Sequence, residues 1–322
     1  DFGKGKYLLL LDEIQKLDGW ENQVKRIYDS FGKNIKIIIS GSESLFIKKK
    51  SKETLAGRIF EFKVEPLSFR EFLSFKEADF KPVGLFKIEL IKLLNEYILT
   101  LGFPELADVK DKEVIQKYIT ESIVEKIVFR DMPRLFKIKD ASTIEALLNI
   151  FLEEPGQLVE ISALAQDLGI SRQTASAYLT YLENAFLIKK LYNYSKNRRK
   201  VERKLKKYYP TIISANLAFK QDELSKSKVF EWLIATQLHA EFFWRDPYKN
   251  EVDIVLLDEN PLPVEVKYGK IDTKGVRAFM KKFNVNNSCI ISWDKEEKRR
   301  IDGKTISIIP AFKFLLKQTS NK

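Results

Sequence analysis

The stretch Lys6-Tyr7-Leu8-Leu9-Leu10-Leu11-Asp12-Glu13 decides how the amino-terminal part of this chain is read. An apolar run closed by two carboxylates is the pattern of a parallel strand buried on both faces, with acids at its carboxyl end. In open α/β sheets that edge is where ligands bind. Outward from it, Trp20 to Phe31 has helical character and Lys36-Ile37-Ile38-Ile39 reads as a second buried strand ending at Ser40-Gly41-Ser42. A third strand is expected at Ile59-Phe60-Glu61-Phe62-Lys63-Val64, directly after Leu55-Ala56-Gly57-Arg58. Ser40 would orient a bound group at the strand end. Arg58 has two readings: a cation that reaches a phosphate of its own or a neighbouring subunit, which leaves a homo-oligomer open, or a surface arginine capping a helix.

Composition narrows the chemistry. The 322 residues carry one cysteine, Cys289, and one histidine, His239. Intramolecular disulfides, zinc-ribbon sites, Cys-His nucleophile pairs and Ser-His-Asp triads are therefore excluded. Cys289 reads as a buried strand thiol and His239 as a packing residue late in an apolar helix. Hydrolytic chemistry is left to carboxylates, lysines and a hard metal. The net charge of +11 favours a polyanionic partner, nucleic acid before membrane. Apolar stretches are too short to span a bilayer and no signal-peptide pattern opens the chain, so a cytoplasmic location is expected.

Leu11-Asp12-Glu13-Ile14-Gln15-Lys16-Leu17, Trp20, Ile39-Ser40-Gly41-Ser42, Leu55-Ala56-Gly57-Arg58 and Pro66-Leu67-Ser68-Phe69-Arg70-Glu71-Phe72 follow one another in order. Together they resemble the successive motifs of a family of archaeal and bacterial AAA-type P-loop ATPases. The resemblance implies ATP and Mg²⁺ as cofactors, with Asp12 holding Mg²⁺, Glu13 accepting a proton from the attacking water, Ser40 sensing the γ-phosphate and Arg58 assisting. It also implies a winged helix and a carboxyl-terminal domain similar to the PD-(D/E)xK nucleases. One element of the ATP site is missing. No Gly-x-x-x-x-Gly-Lys-Ser/Thr loop occurs, and Gly3-Lys4-Gly5-Lys6 has the wrong spacing. The expectation is that this loop lies in a segment upstream of Asp1.

Residues 66 to 140 read as a helical lid and connector, including Ile88 to Leu99 and Glu113 to Phe129. In the turn Thr100-Leu101-Gly102-Phe103, Leu101 stands where the family pattern has a first glycine. From Ser142 a three-helix pattern follows: Ile144 to Glu153, Ser162 to Gly169, and Ser171 to Leu179. Ser162 and Ser171 are expected helix caps and Gly169 an expected turn. Arg172, Gln173 and Ser176 start the second helix of a helix-turn-helix, the end that enters a major groove. Phe186 to Leu191 is strand-like, and the run 196 to 207 reads as a basic wing in which Arg198, Arg199 and Lys200 neutralise DNA phosphates. A solvated loop on a winged helix used for protein packing is the alternative.

In the last segment Glu251 to Leu257 and Pro263 to Lys267 read as strands, and a helix carries Glu231. Glu265 and Lys267 are two apart and share a strand face. Asp253 and Glu265 would bind Mg²⁺, Lys267 would orient or deprotonate water, and Glu231 would complete the shell. The alternative is an exposed Glu265–Lys267 ion pair, or a nuclease shape without cleavage. The expected architecture is a multidomain α/β protein. It comprises half of a P-loop parallel sheet (1–75), a helical lid (76–140), a winged helix-turn-helix (141–207) and a restriction-endonuclease-like domain (208–322). The function it implies is ATP hydrolysis coupled to DNA binding. A Mg²⁺-dependent DNA endonuclease and a non-enzymatic DNA-binding regulator are the alternatives.

Overall fold

A computed structural model describes residues 5–41, 54–78, 80–136, 138, 140–197, 199, 201 and 204–317. Among the sequence-derived sites, Arg198 and Lys200 lie outside the described residues, as do Ser42, Glu202 and Arg203. The chain divides into two compact units, Asp1–Val64 with Lys126–Ala141, and Glu65–Glu125 with Ser142–Lys322.

In the first unit, β1 (Tyr7–Leu11) pairs in parallel with β2 (Ile35–Ile39), Tyr7 opposite Ile35 and Leu11 opposite Ile39. The crossover is α1 (Trp20–Phe31), entered through Gly19 in the left-handed region, φ 69°. Trp20 and Val24 of this helix join Ile14 and Leu55 in a small core, packed by Leu11, Ile37 and Ile39 from the sheet. The expectation of strands buried on both faces is not met. Leu10 is 65% exposed, because among the described residues only one face of the pair is covered. Among the described residues the expected strand at 59–64 is not formed either; Phe62 is 89% exposed.

The second unit begins with α2 (Phe69–Phe75), whose start is fixed by a reciprocal capping box. The Glu71 amide donates to Ser68 Oγ (3.2 Å) and the Ser68 amide to Glu71 Oε2 (2.8 Å). In α3 (Lys87–Thr100) the end is a left-handed pair, Leu101 at φ 53° and Gly102 at φ 74°. Leucine therefore takes the conformation that a glycine adopts without cost, and Gly102 is held by the Leu67 amide donating to its carbonyl (2.8 Å). The segment read as Glu113 to Phe129 is α4 (Lys112–Lys117) continued by π-helical turns, Tyr118–Asp131.

Then come α5 (Ala141–Glu153), β3 (Gln157–Val159), α6 (Ile161–Asp167), α7 (Arg172–Asn184), β4 (Ile188–Asn193) and β5 (Lys206–Pro210). Ser171 caps α7 by accepting from the Thr174 amide, and Gly169 turns at φ 65°. Ser162 is not a cap. The Glu160 carboxylate accepts the Ser162 and Ala163 amides, so the side chain two residues earlier takes that task.

After a short helix at Ala215–Phe219 come α8 (Glu223–Gln237), β6 (Phe242–Arg245), β7 (Glu251–Leu257), β8 (Pro261–Lys267), α9 (Lys274–Phe283), β9 (Asn287–Ser292), β10 (Glu297–Ile301), β11 (Lys304–Pro310) and α10 (Ala311–Lys317). His239 lies beyond the end of α8 at φ 47°, not within the helix. Cys289 is buried in β9, where desolvation pushes its thiol up to about 12. One nine-stranded mixed sheet runs in the order β10-β11-β9-β8-β7-β6-β4-β5-β3. Its join is the parallel pair β4–β6, Tyr192 opposite Phe242, locked by Asn193. That side chain donates to the Arg245 carbonyl (3.0 Å) and accepts from the Arg245 amide (3.2 Å). β5 thus continues across residue 207, and the strands on both sides of that position share one sheet. Trp244, Val252, Val276, Phe279, Met280 and Ile290 form the core between this sheet and α9.

Candidate functional sites

Asp12 and Ser40 sit at the carboxyl ends of neighbouring parallel strands. The Ser40 amide continues the ladder to the Leu11 carbonyl (2.9 Å), and the Ser40 hydroxyl donates to Asp12 Oδ1. The chain turns sharply at Glu13, φ 51°, which throws its carboxylate off the strand axis to within 3.8 Å of Lys16 Nζ. Asp12 is exposed and Glu13 half-buried. Three of the four expected residues are thus gathered at one sheet edge. The fourth is engaged elsewhere: Arg58 Nε donates to Asp29 Oδ1 of α1 at 3.0 Å.

A denser cluster lies on the large sheet. The antiparallel register of β7 and β8, Ile254 opposite Val264, sets Asp253 beside Glu265. Asp253 Oδ2 accepts the Val266 amide at 2.9 Å. Glu265 Oε1 pairs with Lys267 Nζ at 2.6 Å, while Glu265 Oε2 is buried with no hydrogen-bond partner among the described residues. The α8 helix packs across β8, β7 and β5 and brings Glu231 to the same place. Sequence reasoning missed the groups that hold Glu231: Lys207 Nζ donates to its Oε1 at 2.7 Å and the Tyr209 hydroxyl at 2.6 Å. Lys207 also meets Glu251 Oε1 at 3.0 Å and Asp253 Oδ1 at 3.7 Å. Arg245 Nη1 closes the network on Glu251 Oε2 at 3.0 Å. Two period-2 signals could have found these residues. Lys207 and Tyr209 share one face of β5, and Glu251 and Asp253 share one face of β7.

Burial sets the electrostatics. Desolvation, followed by the Glu231 charge, raises the Asp253 pKa to about 6, and desolvation with the Asp253 charge raises that of Glu265 to about 8. Burial also pushes Glu231 toward protonation, but the Lys207 ammonium, the Tyr209 hydroxyl and Lys267 together outweigh it and leave Glu231 below the ordinary glutamate value. Lys207 loses solvation too, yet Glu231 and its neighbours hold its pKa well above that of a free lysine. Gly275 permits the close packing of α9 on this cluster, since a Cβ there would lie 1.9 Å from the Glu251 carbonyl oxygen. No group of three or more His, Cys, Asp or Glu residues has metal-holding geometry among the described residues.

In the segment read from sequence as a helix-turn-helix, Arg172, Gln173 and Ser176 are exposed on the first turns of α7, and Arg199 is exposed beyond β4. The expected basic wing is only partly a solvent face. Lys204 donates to Asn193 Oδ1 (3.3 Å), Lys206 lies over the Tyr192 ring, and Lys207 is buried in the carboxylate cluster. No helix among the described residues is long and apolar enough to cross a membrane.

The paired parallel strands with their acidic edge fall inside residues 2–73, which match the AAA domain family; residues 91–211 match a domain of unknown function (DUF8612). The amino-terminal part is thus similar to an AAA-type domain. The chain is 30% identical over 334 residues to an uncharacterized protein of Methanocaldococcus jannaschii, MJ1544, covering 96% of this chain and 74% of that protein, and it belongs to that protein's family. A second uncharacterized protein of the same organism, MJ1637, is 27% identical over 346 residues, covering 97% of this chain and 71% of that protein. An uncharacterized protein of Haemophilus influenzae is 34% identical over 195 residues, 59% of this chain and 46% of that protein.

Proposed function

We propose that this chain works as part of an ATP-hydrolysing AAA protein, with Asp12, Glu13 and Ser40 forming the hydrolytic edge of its nucleotide site. The observation that carries this reading is the Ser40 hydroxyl bonded to Asp12 at the ends of two adjacent parallel strands, within the AAA match. Exposed Asp12 suits a hydrated Mg²⁺, which when bound would neutralise phosphate charge. Glu13 has the carboxylate to take a proton from water, and Ser40 keeps Asp12 oriented. The fit to nucleotide is partial, because the sequence has no glycine-rich lysine loop to cradle the phosphates. Arg58, paired with Asp29, adds nothing to this reading in the observed arrangement. The test is ATP turnover by the full-length protein and its Glu13→Gln variant, with a loss of about 100-fold or more expected for removal of a general base. Undiminished turnover in Glu13→Gln would remove the assignment.

A second activity, metal-assisted cleavage of DNA, is supported by Asp253, Glu265, Lys267 and Glu231 converging around one partnerless carboxylate oxygen. Asp253 and Glu265 would hold the metal, and Lys267 would orient water. The order β3, α6, α7, β4, β5, with β5 between β4 and β3, supports the winged-helix reading. Arg172, Gln173, Ser176 and Arg199 are then the DNA contacts, with Arg198 and Lys200 proposed from sequence alone. Plasmid nicking in Mg²⁺ that persists undiminished in Lys267→Ala would count against cleavage at this cluster.

A further inference from the structure

Lys207 comes from β5, at the end of the stretch that matches the uncharacterized domain, and its side chain is 5% exposed. Its ammonium sits among carboxylate oxygens of Glu231, Glu251 and Asp253 at 2.7, 3.0 and 3.7 Å. Three anionic oxygens converging on one buried point are what a hard divalent cation seeks. Here that point is held by a covalently attached cation. These carboxylates are held by further partners as well. Glu251 Oε2 faces Arg245, Asp253 Oδ2 takes the Val266 amide, and Glu231 Oε1 is shared with Tyr209. Glu265 Oε2, on a residue 7% exposed, is buried without a hydrogen-bond partner among the described residues.

We propose that Lys207 is a resident cation that competes with divalent metal for the Glu231, Glu251 and Asp253 carboxylates and so sets the metal affinity of the cluster. The inference rests on reading that cluster as a metal site. Metal binding then requires the ammonium to leave, and a buried ammonium parted from its carboxylates is costly. The strand that carries Lys207 is paired on both sides, with β3 and β4, so the lysine stays in place in the free protein.

The experiment is a Mn²⁺ titration of the full chain without nucleotide, in an Asp12→Asn background that removes the amino-terminal acid. The unmodified cluster and Lys207→Met are compared by isothermal calorimetry and by the Mn²⁺ dependence of the melting midpoint. Lys207→Met is expected to bind Mn²⁺ at least tenfold more tightly, with a melting midpoint that rises with Mn²⁺ where that of the unmodified cluster does not. Adding Asp253→Asn should abolish the gain. Equal or weaker binding in Lys207→Met overturns the inference. If the unmodified cluster already binds tightly and Asp253→Asn abolishes this, the metal-site reading stands and only the role of Lys207 falls. If no variant binds Mn²⁺, both fall. Should Lys207→Met fail to fold, Lys207→Gln, which keeps a hydrogen-bond donor for the carboxylates but removes the positive charge, serves as the same test.

Discussion

At the amino-terminal edge, Asp12 is exposed and receives one hydroxyl bond from Ser40, whereas on the large sheet Asp253 and Glu265 are buried in a network closed by Lys207, Lys267 and Arg245. Both sites are acids at strand positions, yet they sit in different dielectric surroundings. Solvated acids keep their charge cheaply and are free to act on a ligand, but they contribute little to stability. Buried acids must be paired or protonated, so their chemistry and the stability of the fold are the same interactions. An acidic pair read from sequence therefore has two physical meanings, and burial decides between them.

The contrast is broken most directly by truncation at each site. Glu231→Ala, which strips Lys207 and Tyr209 of their shared acceptor, should destabilise the protein by about 3 kcal/mol, because it leaves a buried ammonium short of its nearest anion. Asp12→Asn should change stability by less than about 0.5 kcal/mol while reducing ATP turnover of the full-length protein, since surface substitutions of this kind are close to neutral. Urea titrations of the two variants measure both values, and equal effects would erase the distinction.

Next in size is Gly275→Ala. The Cβ would meet the Glu251 carbonyl oxygen at 1.9 Å, so either α9 or β7 must move, at a cost of about 2 kcal/mol. The same titration tests it, and a variant as stable as the parent would show that α9 is not packed so tightly on the cluster.

The pH dependence sharpens the comparison further. The folded-state pKa of Glu265, about 8, lies above its ordinary 4.5, so the native state binds the extra proton and stability falls as pH rises between those values. Asp253 adds a fall in the same direction between 3.8 and about 6. Glu231, shifted downward, acts only at more acidic pH. From pH 6 to 8 the decline is thus assigned to Glu265. A loss of roughly 1–3 kcal/mol is expected there, and Glu265→Gln should flatten it. A slope unchanged in that variant would place the titrating group elsewhere.

A small effect is also expected for Arg58→Ala. Its exposed pair with Asp29 should contribute under about 1 kcal/mol. If the variant nonetheless abolishes ATP turnover in the full-length protein, Arg58 leaves Asp29 when nucleotide binds.

Much of the secondary structure was legible in the sequence because local patterns specify it. The α1 helix, the strands around Leu9 and Ile38, the Ser171 cap and the Gly169 turn all follow from apolar periodicity and cap chemistry over a few residues. The 59–64 segment misled for the complementary reason. Its alternation is sound strand chemistry, but a strand forms only where a neighbour offers ladder bonds. Ser162 misled because the helix begins one residue before it, with Glu160 at the cap.

From sequence alone, Asp12-Glu13 could be set at a strand end, and Asp253, Glu265 and Lys267 given to strands, because alternation and run length act locally. Only the tertiary structure could bring Glu231 of α8 and Lys207 of β5 to the same carboxylates, and turn a lysine within a basic run into a buried counter-ion. Charge in a sequence is additive and has no address, whereas the energy of a charge depends on the desolvation and partners that the whole fold supplies.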